Sequence, residues 1–197
     1  ISHDGGTAIG GVKLSWHERT QDKTIRPQTS LYYGPKYSEN QLRSAAKLVE
    51  NNYNTYVGNA KSVAELLSEN KIVAMYQGSS EAGPRALGNR SILYNPTDPN
   101  GKDFVNEVKG REWFRPAITH VDGTCRIQTV NEKQNKNYYN VINEFKNITG
   151  TPIVFNTSFN LAGQPLVETI EDAIQTLENS NIKYLYLPEI EIILEKK

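Results

Sequence analysis

The sequence predicts a mixed α/β domain in which helices pack on a mixed sheet. Short apolar runs at residues 72–76 and 152–155 suit buried strands, and longer segments with apolar residues at helical spacing surround them. The predicted strands and helices interleave without a strict βαβ rhythm, which favours a mixed sheet. The 197 residues are enough for one domain that buries about 70% of the surface its unfolded form would expose.

The first elements are predicted from turns and helix caps. Residues 1–16 contain a Gly-Gly turn that would open a helix, and residues 17–37 are polar, contain two prolines and predict a linker. A short strand is predicted at 53–57. Two capping boxes predict the flanking helices: Ser38 with Gln41 for residues 38–52, and Ser62 with Glu65 for residues 62–70.

The middle of the chain contains the most polar segments. Residues 72–76 form a predicted buried strand that leads into the polar segment 78–91. A helix at 102–110 places Asn106 and Lys109, three residues apart, on one face. The remaining predicted elements are a strand at 91–94, a hairpin of strands 117–121 and 125–130 around Asp122-Gly123, a helix at 138–148 ended by Gly150, a strand at 152–155, a helix at 169–178, and strands at 184–187 and 191–194.

The composition excludes several classes of function. The chain has 22 basic and 22 acidic residues, so its zero net charge provides no general attraction to nucleic acid or to an anionic membrane. No apolar stretch approaches the roughly 20 residues that cross a bilayer. The single cysteine, Cys125, excludes an internal disulfide and is expected to pack inside a strand. We therefore expect a cytoplasmic protein with no membrane or nucleic-acid partner.

The chain is expected to be a piece of a longer polypeptide. It begins with isoleucine, and its single methionine is Met75.

Two polar segments hold a concentration of cations that predicts an anion site. Residues 83–91 read Gly-Pro-Arg-Ala-Leu-Gly-Asn-Arg-Ser, and residues 109–116 read Lys-Gly-Arg-Glu-Trp-Phe-Arg-Pro. The planar fork of arginine matches two oxygens of a phosphate or carboxylate at once. The candidate cations are Arg85, Arg90, Lys109, Arg111 and Arg115. The alternative is a structural network in which the arginines pair with Glu81, Glu107 and Glu112.

Neutral hydrogen-bonding groups follow the other buried strand. Residues 156–160 read Asn-Thr-Ser-Phe-Asn and can bind an amide or a phosphate without adding charge. The alternative is a polar turn that satisfies its own backbone. The three histidines, His3, His17 and His120, are isolated from one another, so no histidine-based catalytic triad is predicted.

Five motifs in one order carry a resemblance to a known family. They are residues 83–91, Val-Asn-x-x-Lys-x-Arg-Glu-x-Phe-Arg-Pro at 105–116, Arg-Ile-Gln-Thr-Val at 126–130, residues 156–160, and Thr-x-Glu-Asp-Ala at 169–173. Together they resemble the C-terminal domain of the O-carbamoyltransferases that act in nodulation-factor and antibiotic biosynthesis. The resemblance implies a YrdC-like twisted mixed sheet for residues 38–197.

The resemblance also implies a reaction and its site. Such domains bind carbamoyl phosphate and ATP and form carbamoyl-adenylate and pyrophosphate, and an N-terminal actin-like domain then transfers the carbamoyl group to an acceptor hydroxyl. By this resemblance the catalytic residues are Arg85, Lys109 and Arg115. The residues that bind the two co-substrates are these three together with Arg90, Ser91, Arg111, Asn156 and Ser158.

A weaker resemblance covers residues 1–12 and implies a metal site shared with the partner domain. Asp4 matches a metal-ligating aspartate, which would hold a divalent ion, Mg or Fe, together with residues of the actin-like domain. Residues 1–16 would then be the tail of that domain and residues 17–37 the linker. Considered alone, Asp4 is predicted to cap a helix.

Two other functions stay open from sequence. One is a module that binds nucleotide or carbamoyl phosphate and performs no chemistry. The other is nucleic-acid binding, because YrdC-type folds are associated with RNA modification, although the chain has no long basic stripe.

Overall fold

A computed structural model describes residues 4–27, 30–83, 85–111, 122–125 and 127–197, without the side chains of Asp4 and Gly5. Its helices are α1 (Asp4–Thr20), α2 (Glu39–Leu48), α3 (Ala60–Ser68), α4 (Gly101–Val108), α5 (Lys136–Thr149) and α6 (Ile170–Glu178). Its strands are β1 (Tyr53–Val57), β2 (Val73–Tyr76), β3 (Arg90–Tyr94), β4 (Phe155–Ser158), β5 (Tyr184–Leu187) and β6 (Ile192–Lys196).

The six strands form one sheet in the order β1-β6-β5-β2-β3-β4. The central pair, β2 and β5, is parallel, whereas every other neighbouring pair is antiparallel. This arrangement confirms the predicted mixed α/β class.

The apolar side chains of the sheet alternate between two cores, as the period of two along a strand requires. In β2, Val73 and Met75 pack in the core that α3 and α5 cover. Ala74 and Tyr76 belong to the opposite core, which α2, α4 and α6 cover. Because helices cover both faces, β2 is buried along its whole length, and this rigid centre fixes the loops at its ends.

The helix caps confirm one prediction and correct another. Ser38 and Gln41 form the predicted capping box of α2. The start predicted for the next helix at Ser62 is wrong, because Asn59 caps α3 and accepts N–H groups from Lys61 and Ser62. Ser62 is the third helical residue of that box, so the helix begins two positions earlier.

The strand predicted at 152–155 is displaced along the chain. The observed strand β4 begins at Phe155 and pairs with β3, so that Ser158 lies opposite Ser91. Ile153 is 55% exposed, and Pro152 has no N–H to donate to a neighbouring strand. The polar residues 156–158 therefore belong to the strand itself.

The predicted hairpin is only partly within the described residues. Residues 117–121 lie outside them, and residues 127–130 form no strand. Ile127 is exposed, whereas Val130 packs, partly buried, against the core that α3 and α5 cover. Cys125, predicted to pack inside a strand, is exposed as well. The strand prediction for 127–130 and the packing prediction for Cys125 are wrong.

Helix α1 extends past the predicted tail into the predicted linker. Its glycines lie within the helix and do not form an opening turn. Val12, Leu14 and Trp16 are exposed on this helix. Among the described helices, none combines the length and apolar character needed to cross a membrane.

Substituting Gly88 by alanine is expected to cost about 2–4 kcal/mol of unfolding free energy. Gly88 has a φ of 94°, and a Cβ there would lie 2.5 Å from the Tyr138 ring. Gly150→Ala is the matched control, because Gly150 has a φ of 79° but nothing within 4 Å of its added Cβ. It should cost only about 1–2 kcal/mol. Equal losses in urea unfolding would contradict the close approach of Tyr138.

Candidate anion-binding site

The polar motifs meet at one end of the sheet because of the pairing between β3 and β4. Ser91 of β3 lies opposite Ser158 of β4, and the N–H of Phe159 donates to the carbonyl of Arg90 at 2.9 Å. Residues 83–91 and 156–160 are thereby brought together. Helix α4 ends at Val108, which places Lys109 beside them.

Lys109 is the central cation of this cluster. Its side chain is buried, with the residue only 1% exposed. Nζ donates to the carbonyl and Oγ of Ser158, at 2.7 and 3.3 Å, and to the carbonyl and Oδ1 of Asn160, at 2.6 and 2.5 Å. All four acceptors are neutral oxygens. Burial, with a smaller contribution from the charge of Arg111, lowers the pKa of Lys109 to about 7.

The side chains of β4 are held in position around Lys109. Ser158 Oγ donates to Asn160 Oδ1 at 2.7 Å, and Asn160 Nδ2 donates to the carbonyl of Gln164 at 2.7 Å. Asn156 Nδ2 donates to the carbonyl of Ala86 at 3.0 Å and so connects the strand to the 83–91 loop. Asn160, which was noted in the sequence motif but not assigned to the site, therefore belongs to the cluster.

Arg90 is buried inside the protein and binds backbone carbonyls. It is 0% exposed, and its guanidinium lies 3.7 Å from the centre of the Tyr76 ring. Nη1 donates to the carbonyls of Gln77 and Asn89, and Nη2 donates to those of Gly78 and Glu168. The guanidinium thus joins the end of β2 to the segment before α6.

The structure also describes three of the other predicted site residues, Ser91, Arg85 and Arg111. Ser91 is fully buried and its Oγ accepts the N–H of Gly88 at 3.0 Å, so it stabilises the loop from within. Arg85 is half-buried in the loop, and Arg111 is exposed two residues after Lys109. Arg115 lies outside the described residues, as does the side chain of Asp4. In the described part of the chain, no three potential metal-ligating side chains cluster.

Glu81 interacts with backbone groups of the loop. Its carboxylate accepts the N–H groups of Leu87, Asn89 and Arg90 at 2.7–3.0 Å. A buried carboxylate therefore occupies backbone donors that a phosphate would otherwise seek. An anion at this site would depend on side chains instead.

A layer of buried amides behind the loop was missed by sequence reasoning. Gln77 Nε2 donates to the carbonyl of Gly88 and to Asn135 Oδ1, at 2.8 and 3.0 Å. Asn135 Nδ2 donates to Asn89 Oδ1 at 2.9 Å. Asn135 also caps α5. Gln77 and Asn135 both lie outside the charged motifs. The cap position of Asn135 is therefore the one feature of the sequence that could have pointed to this layer.

Comparison with known proteins identifies the family. The family model described as the carbamoyltransferase C-terminus matches residues 64–119 and 116–194. An uncharacterized protein of Methanocaldococcus jannaschii is 36% identical over 93% of this chain and 38% of its own length. The nodulation protein NolO of Bradyrhizobium diazoefficiens is 33% identical over 92% of this chain and 41% of its own length. Nodulation protein U of Rhizobium fredii is 30% identical over 82% of this chain and 33% of its own length.

The chain belongs to the carbamoyltransferase C-terminus family, which confirms the resemblance inferred from its motifs. It spans 33–41% of the length of these three relatives. The matched region contains β2, β3, β4 and Lys109, and therefore the centre of the candidate anion-binding cluster.

Proposed function

We propose that this chain binds carbamoyl phosphate and ATP and forms carbamoyl-adenylate for an O-carbamoyltransferase. The observation that carries the proposal is Lys109, a buried cation whose four acceptors are all neutral. A phosphate or carbamate oxygen that replaced one of them would form a stronger, charge-assisted hydrogen bond. Membership of the carbamoyltransferase C-terminus family supports the choice of ligand.

The proposed reaction needs stabilised negative charge and no protein nucleophile. Water splits carbamoyl phosphate into carbamate and phosphate. A carbamate oxygen then attacks the α-phosphorus of ATP, the bond from that phosphorus to the bridging oxygen of the β-phosphate breaks, and pyrophosphate leaves. Phosphoryl chemistry of this kind depends mainly on positioning and on stabilising oxyanion charge.

Each group of residues has a distinct role in this proposal. Lys109 would neutralise an oxyanion inside the site, whereas the exposed Arg111 and the half-buried Arg85 would bind phosphate oxygens nearer the solvent. Asn156 and Ser158 would orient the ligand through neutral hydrogen bonds. Arg90 and Ser91 would support the site from inside the loop, and Arg115 stays a predicted ligand contact.

The acceptor hydroxyl and the actin-like domain belong to the same proposal. The three relatives are longer than this chain, which is compatible with a further domain that carries out the transfer. Asp4 would contribute a carboxylate to the divalent metal site of that domain.

Exchange of radiolabelled pyrophosphate into ATP tests the proposed chemistry. We expect exchange that requires carbamoyl phosphate and that falls strongly in Arg85→Ala. Calorimetric binding of either ligand without exchange would instead support the binding module that performs no chemistry. A chain that neither exchanges pyrophosphate nor binds the ligands would overturn the site assignment.

The low pKa of Lys109 predicts that ligand binding takes up a proton above pH 7. A bound anion favours the charged ammonium and so raises the pKa from about 7. Calorimetry at pH 8 in Tris and in HEPES, whose ionisation enthalpies differ, should show this uptake, which should be absent at pH 6. The exposed Lys61→Met variant should behave like the unmodified chain. Equal uptake at both pH values would contradict the prediction.

The same shift of the pKa affects the stability of the free protein. The ordinary lysine pKa is 10.5, and the folded value is about 7. Between these values the unfolded chain binds more protons than the folded one. The contribution of Lys109 to the unfolding free energy should therefore rise with pH from about 7 to about 10.

A further inference from the structure

We propose that Glu81 and Tyr32 are positioning residues that hold residues 85–91 of the loop in the shape in which Arg85 serves the anion site. This inference rests on the proposed function for the role of Arg85. The hold on the loop itself is independent of the ligand. Neither residue was assigned to the site from sequence, and neither needs to touch a ligand.

Glu81 is the buried centre around which the loop folds. It is only 6% exposed. Its Oε1 accepts the N–H groups of Leu87, Asn89 and Arg90 at 2.8, 2.7 and 3.0 Å, and its Oε2 also accepts that of Arg90 at 3.0 Å. Hydrogen bonds to a charged acceptor are about twice as strong as neutral ones. The carboxylate therefore specifies the path of the loop after Arg85.

Tyr32 holds the next peptide unit of the loop, through the carbonyl of Leu87. Its hydroxyl donates to the carbonyl of Leu87 at 3.1 Å, and its backbone forms a β-bridge with Glu81. The neighbouring residues reinforce that bridge: Ala82 N donates to the carbonyl of Leu31 at 2.7 Å, and Tyr33 N donates to that of Ser80 at 3.1 Å. Leu87 thus has its N–H bound by Glu81, and its carbonyl accepts both the Tyr32 hydroxyl and, at 3.1 Å, Asn135 Nδ2.

The position of Leu87 determines where the preceding residues lie. Leu87 is two residues after Arg85, and the carbonyl of the intervening Ala86 accepts Asn156 Nδ2 at 3.0 Å. The carbonyl of Ala86 is therefore fixed by Asn156, the N–H of Leu87 by Glu81, and the carbonyl of Leu87 by Tyr32. The fixed loop lowers the entropy that is lost when Arg85 binds an anion.

The first test measures the loop without any ligand. Amide hydrogen exchange by NMR should be at least about tenfold faster at Leu87, Asn89 and Arg90 in Glu81→Gln than in the unmodified chain, because a neutral amide oxygen is a weaker acceptor than a carboxylate and the new NH2 group cannot accept from Arg90. Tyr32→Phe removes a single hydroxyl and should accelerate exchange in the same loop by a smaller factor. Tyr33→Phe, the same change at the exposed neighbouring residue, should leave these amides unchanged.

The second test separates positioning from general stability. Tyr32→Phe should weaken carbamoyl phosphate binding by up to about tenfold, and it should have little further effect in a chain that already carries Arg85→Ala. If Tyr32 contributed only to stability, Tyr32→Phe would lower the affinity for carbamoyl phosphate by the same factor with or without Arg85. Additive losses, or unchanged exchange at the three amides, would overturn the proposal.

The outcomes also separate this inference from the proposed function. If the unmodified chain bound no carbamoyl phosphate, the proposed function and the service of Arg85 to that site would both fail. Accelerated exchange at the three amides would still establish the hold of Glu81 and Tyr32 on the loop. Unchanged exchange together with normal ligand binding would reject the positioning role alone.

Discussion

Lys109→Met is expected to lower carbamoyl-phosphate-dependent pyrophosphate exchange by about 100-fold or more. The removal of one oxyanion-stabilising donor typically costs a factor of about 10²–10³, and Lys109 supplies the buried positive charge of the cluster. Methionine has a similar length and no charge, so it fills the same space. Initial exchange rates at saturating ATP and carbamoyl phosphate measure the effect.

The fold should survive this substitution. The oxygens of Ser158 and Asn160 would lose a donor, at a cost of about 1–3 kcal/mol, and the removal of a buried ammonium that is costly to desolvate offsets part of that loss. The control is Lys61→Met, which removes an exposed lysine on α3 and should retain full activity. Unimpaired exchange in folded Lys109→Met would contradict the assigned role, and loss of exchange in both variants would point to an effect of net charge.

Arg90→Met is expected to produce the largest loss of stability, about 3–5 kcal/mol of unfolding free energy. The carbonyls of Gln77, Asn89, Gly78 and Glu168 would lose a shared donor, and the contact with the Tyr76 ring would lose its charge. Urea unfolding followed by circular dichroism measures the change. Lysine should not restore stability, because one ammonium cannot reproduce the planar fork.

Arg111→Met is the matched control for this experiment. Arg111 is exposed, so its removal should change the unfolding free energy by no more than about 0.5 kcal/mol. If Arg90→Met were as stable as the unmodified chain and lost only ligand binding, Arg90 would be a ligand contact, as first predicted from sequence.

The sequence predicted the elements of the fold better than the roles of its charges. Apolar runs and helical spacing depend on neighbouring residues, so β2, α5 and β5 were found close to their observed bounds. Arg85 and Arg90 look equivalent within one motif. The Tyr76 ring and the carbonyls of Gln77, Gly78 and Glu168 make Arg90 an internal residue, and no local pattern contains that information.

The errors have a common physical origin in tertiary contacts. Asn156 and Ser158 suggested a loop by their polarity, but pairing with β3 makes them part of a strand. Asn135 and Gln77 meet although 58 positions separate them in the chain, so neither could be assigned from its own neighbours. Lys109 was selected as a candidate because it lies in a cationic motif and because its spacing from Asn106 indicated a shared helix face.

The strand order has a consequence for how the protein is made. Strand β6 follows the other five in the chain, yet it lies between β1 and β5 and pairs Lys196 with Tyr53. On the ribosome β1 emerges before its partner β6 and stays unpaired until β6 has been made. Pairing between strands so far apart in the chain is slow to form. By contrast β2, β3 and β4 can already associate. Synthesis therefore allows the strands of the candidate anion site to pair before the strand that completes the sheet has emerged.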